Sequence, residues 1–129
     1  MKSGRRRTWG MVPLILGLLL LWQILPADSQ SPAPPQTRPA IYEFGRKLCP
    51  ICHQMEQVLK AVQERYPGQL EVRLLFIDED IKLFRQFNIA IVPTQVFLDE
   101  SGQEVFRHEG LLFREKLEKK LRELKFVRE

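Results

Sequence analysis

Phe44-Gly45-Arg46-Lys47-Leu48-Cys49-Pro50-Ile51-Cys52-His53 carries the only two cysteines of a 129-residue chain, three positions apart. The residues before it, Ala40 to Phe44, form a short run of strand type, and Gly45 to Leu48 form a loop. From Pro50 to about Tyr66, apolar residues recur at helical spacing: Ile51, Met55, Val58, Leu59 and Val62. Proline suits the first helical turn, where its missing N–H is not needed. The pair therefore sits where a strand hands over to a helix. Cys49 lies at the helix N-terminus, where orphan N–H groups and the helix dipole favour an anion. Arg46 and Lys47 add positive charge nearby. A free thiol titrates near about pH 8.5, and such positions commonly bring it to about 7 or below. The thiolate is the species that attacks a disulfide. Cys49 is thus the expected nucleophile, and Cys52, one turn on, the expected resolving thiol, the two cycling through a Cys49–Cys52 disulfide.

Working outward, Pro67-Gly68 ends the helix, and Leu70 to Ile77 is a nearly continuous apolar run that suits an internal strand. Asp80 to Phe87 reads as a short helix opened by acids. Thr94 to Leu98 and Gln103 to His108 are strands joined by the turn Asp99-Glu100-Ser101-Gly102. Phe113, Leu117, Leu121 and Leu124 mark an amphipathic C-terminal helix. The order β-α-β-α-β-β-α makes the first two strands parallel, joined by a right-handed crossover, and the last two an antiparallel hairpin. An α/β domain follows, a mixed four-stranded sheet with helices on both faces.

Other chemistries remain open for the same residues. A plain structural disulfide closing so small a loop adds only about 2 kcal/mol in the chain-entropy account. Cys49 to His53 also fits the C-x-x-C-H pattern of c-type haem attachment, with His53 as an axial ligand and His108 left as the sixth. A zinc site from two cysteines and two histidines lacks a spacing partner for His108. Without haem, no cofactor and no metal is called for.

The N-terminus reads as an export signal. Lys2, Arg5, Arg6 and Arg7 precede the apolar run Met11 to Leu25, and Pro26 and Ala27-Asp28-Ser29 follow. Residues 1–29 are a cleaved signal peptide or a retained anchor spanning residues 9–25. Either places the rest in the periplasm or another extracytoplasmic space, touching membrane only through that segment. Five prolines within residues 26–39 make residues 30–39 a semi-extended linker, and the folded domain is residues 40–129. The net charge of +4 divides into +3 over residues 1–29 and +1 over the rest. The domain therefore lacks the basic patch that nucleic acid requires.

The chain resembles the thioredoxin superfamily from Ala40 to about Leu124. Three features carry the resemblance: the strand–loop–helix around Cys49-Pro50-Ile51-Cys52, the segment Ile91-Val92-Pro93-Thr94 some 40 residues on, and Gly110 after the hairpin. It implies a cis Val92–Pro93 bond beside the cysteines, with Val92, Pro93 and Thr94 receiving an incoming substrate strand. It implies that Glu43, six residues before Cys49, stands where thioredoxins commonly carry a buried acid that shuttles a proton for the resolving thiol. The residue-level alternative is a solvated strand glutamate.

This sequence departs from the family in four places. Leu48 replaces the usual tryptophan, Pro50-Ile51 replaces Gly-Pro, Leu74 replaces the lysine that often neighbours the buried acid, and the first strand is missing. The absence of histidine between the cysteines and of a helical insertion resembles reductive members. The expected activity is an extracytoplasmic protein disulfide oxidoreductase, working as a reductase on cysteine-containing exported proteins and drawing electrons from a membrane donor. A non-catalytic binding module on the same scaffold is the reading of another class.

Overall fold

The computed structural model describes residues 36–129; the expected export signal and most of the expected linker lie outside the described residues. The elements are β1 (Ala40–Gly45), α1 (Pro50–Arg65), β2 (Glu71–Phe76), α2 (Ile81–Gln86), β3 (Thr94–Leu98), β4 (Glu104–Glu109) and α3 (Arg114–Glu123). The sheet runs β2-β1-β3-β4, with β1 parallel to β2 and antiparallel to β3, and β3 antiparallel to β4. This is the mixed four-stranded sheet that the sequence implied.

The strand β1 organises the domain because both of its faces are buried. Its side chains alternate. Ile41 joins Met55, Leu59 and Val62 of α1, Phe97 of β3, and Leu117 and Leu121 of α3 in one core. Tyr42 and Phe44 point the other way, into a second core with Phe84 of α2, Val96 and Leu98. Helices therefore cover both faces, α1 and α3 on one and α2 on the other. Each fully buried aliphatic or aromatic side chain here stabilises the fold by roughly 1.5–3 kcal/mol. The edge-on pair Phe44–Phe84, with centroids 5.0 Å apart, adds directionality to the second core.

Three expectations need correction. The apolar run of β2 suggested an internal strand, but β2 is an edge strand with Leu74 42% exposed. Among the described residues, no strand pairs with its outer side. The acids before α2 do not fill its first turn: the helix starts at Ile81, and Asp80 Oδ2 accepts from the Phe76 N–H at 3.0 Å. Ile51 and Phe113, read as core-facing, are exposed, because each sits at the start of its helix beyond the sheet's cover.

The last residues of the proline-rich stretch are held against the domain. The Gln36 N–H donates to the Glu100 carbonyl at 3.1 Å, and the Glu71 N–H donates to the Pro39 carbonyl at 2.9 Å. No helix among the described residues is long and apolar enough to cross a membrane.

Candidate active site

The chain leaves β1 at Gly45 and turns through Arg46 to Leu48, where the Cys49 N–H donates back to the Arg46 carbonyl at 3.2 Å. Cys49 is the N-cap of α1, in extended conformation, and Pro50 is the first helical residue. At an N-cap the side chain is the natural acceptor for the helix's unpaired N–H groups. Cys49 fills that role with sulfur: the Cys52 N–H donates to Cys49 Sγ at 3.2 Å. The Cys49 Sγ thus lies on the positive end of a 16-residue helix. The Cα atoms of Cys49 and Cys52 are 5.2 Å apart and their sulfurs are bonded. Cys49 is partly exposed, whereas Cys52 is wholly buried. Of the two, only Cys49 is open to solvent.

Gly45 faces the buried thiol. A Cβ at that position would stand 3.4 Å from Cys52 Cβ and 3.7 Å from its Sγ. Lys47, one of the two nearby cations, is engaged by Glu79 in an exposed ion pair. The field at Cys49 therefore comes chiefly from the helix end rather than from that side chain.

Glu43 lies two residues before Gly45 on the same face of β1, beneath α1. It is 2% exposed, and neither carboxylate oxygen has a conventional hydrogen-bond partner among the described residues. Burial pushes its pKa from 4.5 up to about 8; the Gln95 side chain beside it pulls the other way, and Glu56 adds a small further rise. The solvated alternative is thus excluded. Leu74 is its register partner on β2, so the position where a lysine often stands brings no charge.

The Val92–Pro93 bond is cis, as the family likeness implied. Thr94 pairs in register with Phe44, which puts Pro93 at the end of the sheet from which the loop leads to Cys49. The Pro93 carbonyl accepts from the Gly110 N–H at 2.7 Å, and Thr94 Oγ1 donates to the Ile91 carbonyl at 2.7 Å. Val92 is half-buried, while Pro93 and Thr94 are buried. Leu48, Ile51 and Ile91 present exposed apolar surface on the segments that carry the cysteines and Pro93.

Of the residues that haem attachment would need, the two cysteines and His53 have partners within the chain. The two sulfurs bond each other, and His53 Nδ1 lies 3.5 Å from Glu56. His108 pairs in register with Gln95 on β4, and Met55 Sδ accepts from the Leu112 N–H at 3.4 Å. Among the described residues, no group of three or more His, Cys, Asp or Glu side chains is placed to hold a metal ion. Sequence reasoning missed Gln95 and Gly45. The only signal for Gln95 was a polar residue beside Val96, Phe97 and Leu98.

A buried and a partly exposed sulfur at a helix start, a buried acid on the strand that leads to them and a cis proline at the same sheet end define a thioredoxin-like fold with a redox-type cysteine pair. The family model of the thioredoxin-like domain matches residues 27–125, and the chain belongs to that family. Among solved structures, it is similar to chloroplastic thioredoxin z (24% identity, 68% of this chain and 79% of that one, TM-score 0.63). It is also similar to thioredoxin-2 of the malaria parasite (17%, 67% and 82%, TM-score 0.64) and to the germline-specific thioredoxin Deadhead of Drosophila melanogaster (22%, 67% and 81%, TM-score 0.61). No curated protein matches the chain. At these identities the solved structures speak to the fold alone.

Proposed function

We propose that this protein is an extracytoplasmic protein disulfide reductase. The observation that carries the reading is Cys49 Sγ accepting the Cys52 N–H at the N-cap of α1, which favours sulfur in its anionic form. In the reduced enzyme the Cys49 thiolate attacks a client disulfide. A Cys49–client bond forms, and the other client sulfur leaves as a thiolate. Cys52 then gives up its proton and attacks Cys49 Sγ. The Cys49–Cys52 bond forms and the second client sulfur departs. The client gains two electrons, and the enzyme's dithiol becomes the disulfide. Glu43, buried on the α1 face two residues before the glycine that meets Cys52 and titrating near 8, is suited to accept the Cys52 proton.

The location rests on the N-terminal sequence: a basic start, an apolar run from Met11 to Leu25 and small residues after Pro26. The clients are exported proteins with cysteines. A reductant outside the cytosol needs a membrane protein dithiol or quinol to reduce it again. The direction rests on the lack of histidine between the cysteines. Haem attachment would consume both sulfurs, and their bond to each other favours exchange chemistry instead.

Two measurements test the reading. The Cys52→Ser variant should retain clients as disulfide-linked adducts that mass spectrometry identifies, and Cys49→Ser should not. The potential of the Cys49–Cys52 couple should lie near about −270 mV, whereas a value near about −120 mV would mark an oxidant.

A further inference from the structure

Gln95, the second of the five residues of β3, is a wholly buried amide beside Val96, Phe97 and Leu98. A buried amide is costly unless its polar atoms find partners. Its Nε2 donates to the Gly110 carbonyl at 3.2 Å, which settles which end of the amide is nitrogen. Gly110 in turn donates its N–H to the Pro93 carbonyl. The β1–β3 register sets Gln95 directly opposite Glu43, so that both side chains stand on the α1 face. The Nε2 atom has a second N–H. Both Glu43 oxygens and Gln95 Oε1 are buried without a conventional hydrogen bond. Three acceptor atoms face the same interior with one spare donor between them.

We propose that Gln95 is the positioning residue for Glu43: its amide orients the carboxyl beneath Cys52 and ties it, through Gly110, to the Pro93 segment. An ionised Glu43 takes the spare N–H of Nε2, and a neutral Glu43 donates its O–H to Oε1. One side chain thus serves both protonation states, and it holds the ionised one more strongly, because a hydrogen bond to a charged group outweighs one between neutral groups. The inference rests on reading Glu43 as the proton carrier for Cys52. In that step the Cys52 thiol proton passes to the Glu43 carboxylate, and the Cys52 thiolate attacks Cys49 Sγ. The client leaves as a thiolate and takes its proton from water. The other charged group acting on Glu43 is Glu56 of α1, itself beside His53; Leu74 of β2 brings no charge. The opposing influences are therefore burial and Glu56, which hold the proton on, and Gln95, which lets it go.

The test is a carboxyl carbon NMR titration of Glu43 in the oxidised protein, where the cysteines do not titrate. The Glu43 signal is assigned by its loss in Glu43→Gln. Gln95→Leu removes both amide functions at similar volume, and Gln95→Met serves if the leucine variant does not fold. The wild-type midpoint should lie near 8, and the variant's should rise by about one pH unit, the tenfold expected from one hydrogen bond to a charged group. The pH profile for reduction of dithiobis(nitrobenzoate) by the reduced protein should move with it. An unchanged midpoint overturns the positioning role. A shifted midpoint with an unmoved pH profile overturns the link to the Cys52 proton while thiol exchange stands. Failure of the wild-type protein to reduce the probe at any pH overturns the oxidoreductase reading itself.

Discussion

Glu43→Gln replaces a buried acid by an amide of nearly the same size. In the folded protein the carboxyl titrates near 8 because burial penalises its charge, whereas an exposed glutamate titrates near 4.5. Between those values the folded chain holds a proton that the unfolded chain has released. Raising the pH therefore favours unfolding. The stability linked to this group is fully present below the unfolded value and is lost as the pH rises toward 8. The loss amounts to about 3 kcal/mol by pH 7, of which about 2.5 kcal/mol falls between pH 5 and 7. The glutamine variant has no such dependence. It should match the wild type within about 1 kcal/mol at pH 5 and exceed it by roughly 3 kcal/mol at pH 7, a rise in Tm on the order of 10 °C for a domain of this size. Urea unfolding of the oxidised proteins at pH 5, 6, 7 and 8 measures the gap. Asp99 does not blur the result: its pKa is lowered by the Ser101 hydroxyl, so its contribution is lost only as the pH falls, below this window. A gap that fails to widen with pH would refute a buried, proton-holding Glu43. The same variant, once reduced, should resolve mixed disulfides about a hundredfold more slowly, the lower range of a general base's contribution.

Gly45→Ala should be nearly neutral, because its methyl meets Cys52 Cβ at ordinary contact distance, while Gly45→Leu should cost about 1–3 kcal/mol by overpacking, read from urea midpoints. Gly110→Ala should cost about 1 kcal/mol or more despite open space around the added methyl, because φ is +91° there. Client adducts with Cys52→Ser should weaken in that variant, since Gly110 braces Pro93.

The parts of the fold written in local chemistry were legible. Pro50 and the spacing of Met55, Leu59 and Val62 marked α1, and Asp99-Glu100-Ser101-Gly102 marked the β3–β4 turn. Tyr42 and Phe44 suggested burial of one face of β1, which is the face opposite Glu43. The position of β2 was not legible, since a strand's neighbours depend on distant segments, and a run such as Val72 to Ile77 serves at an edge as well as inside. Ile51 fitted the helical pattern but falls past the end of the sheet, where no core exists for it to enter. Cys49 and Cys52 stood out as the only cysteines. Pro93 and Glu43 came from family likeness. Gln95 was invisible because its partner is chosen by register across strands, 52 residues away in sequence.

The account stands on an anionic sulfur at the N-cap of α1. Iodoacetamide labelling of the reduced protein, followed by peptide mass spectrometry across pH 4 to 10, reads it directly. Cys49 should react with a midpoint at about 7 or below, well ahead of Cys52. A Cys49 midpoint near about 8.5, that of an ordinary peptide thiol, would contradict it.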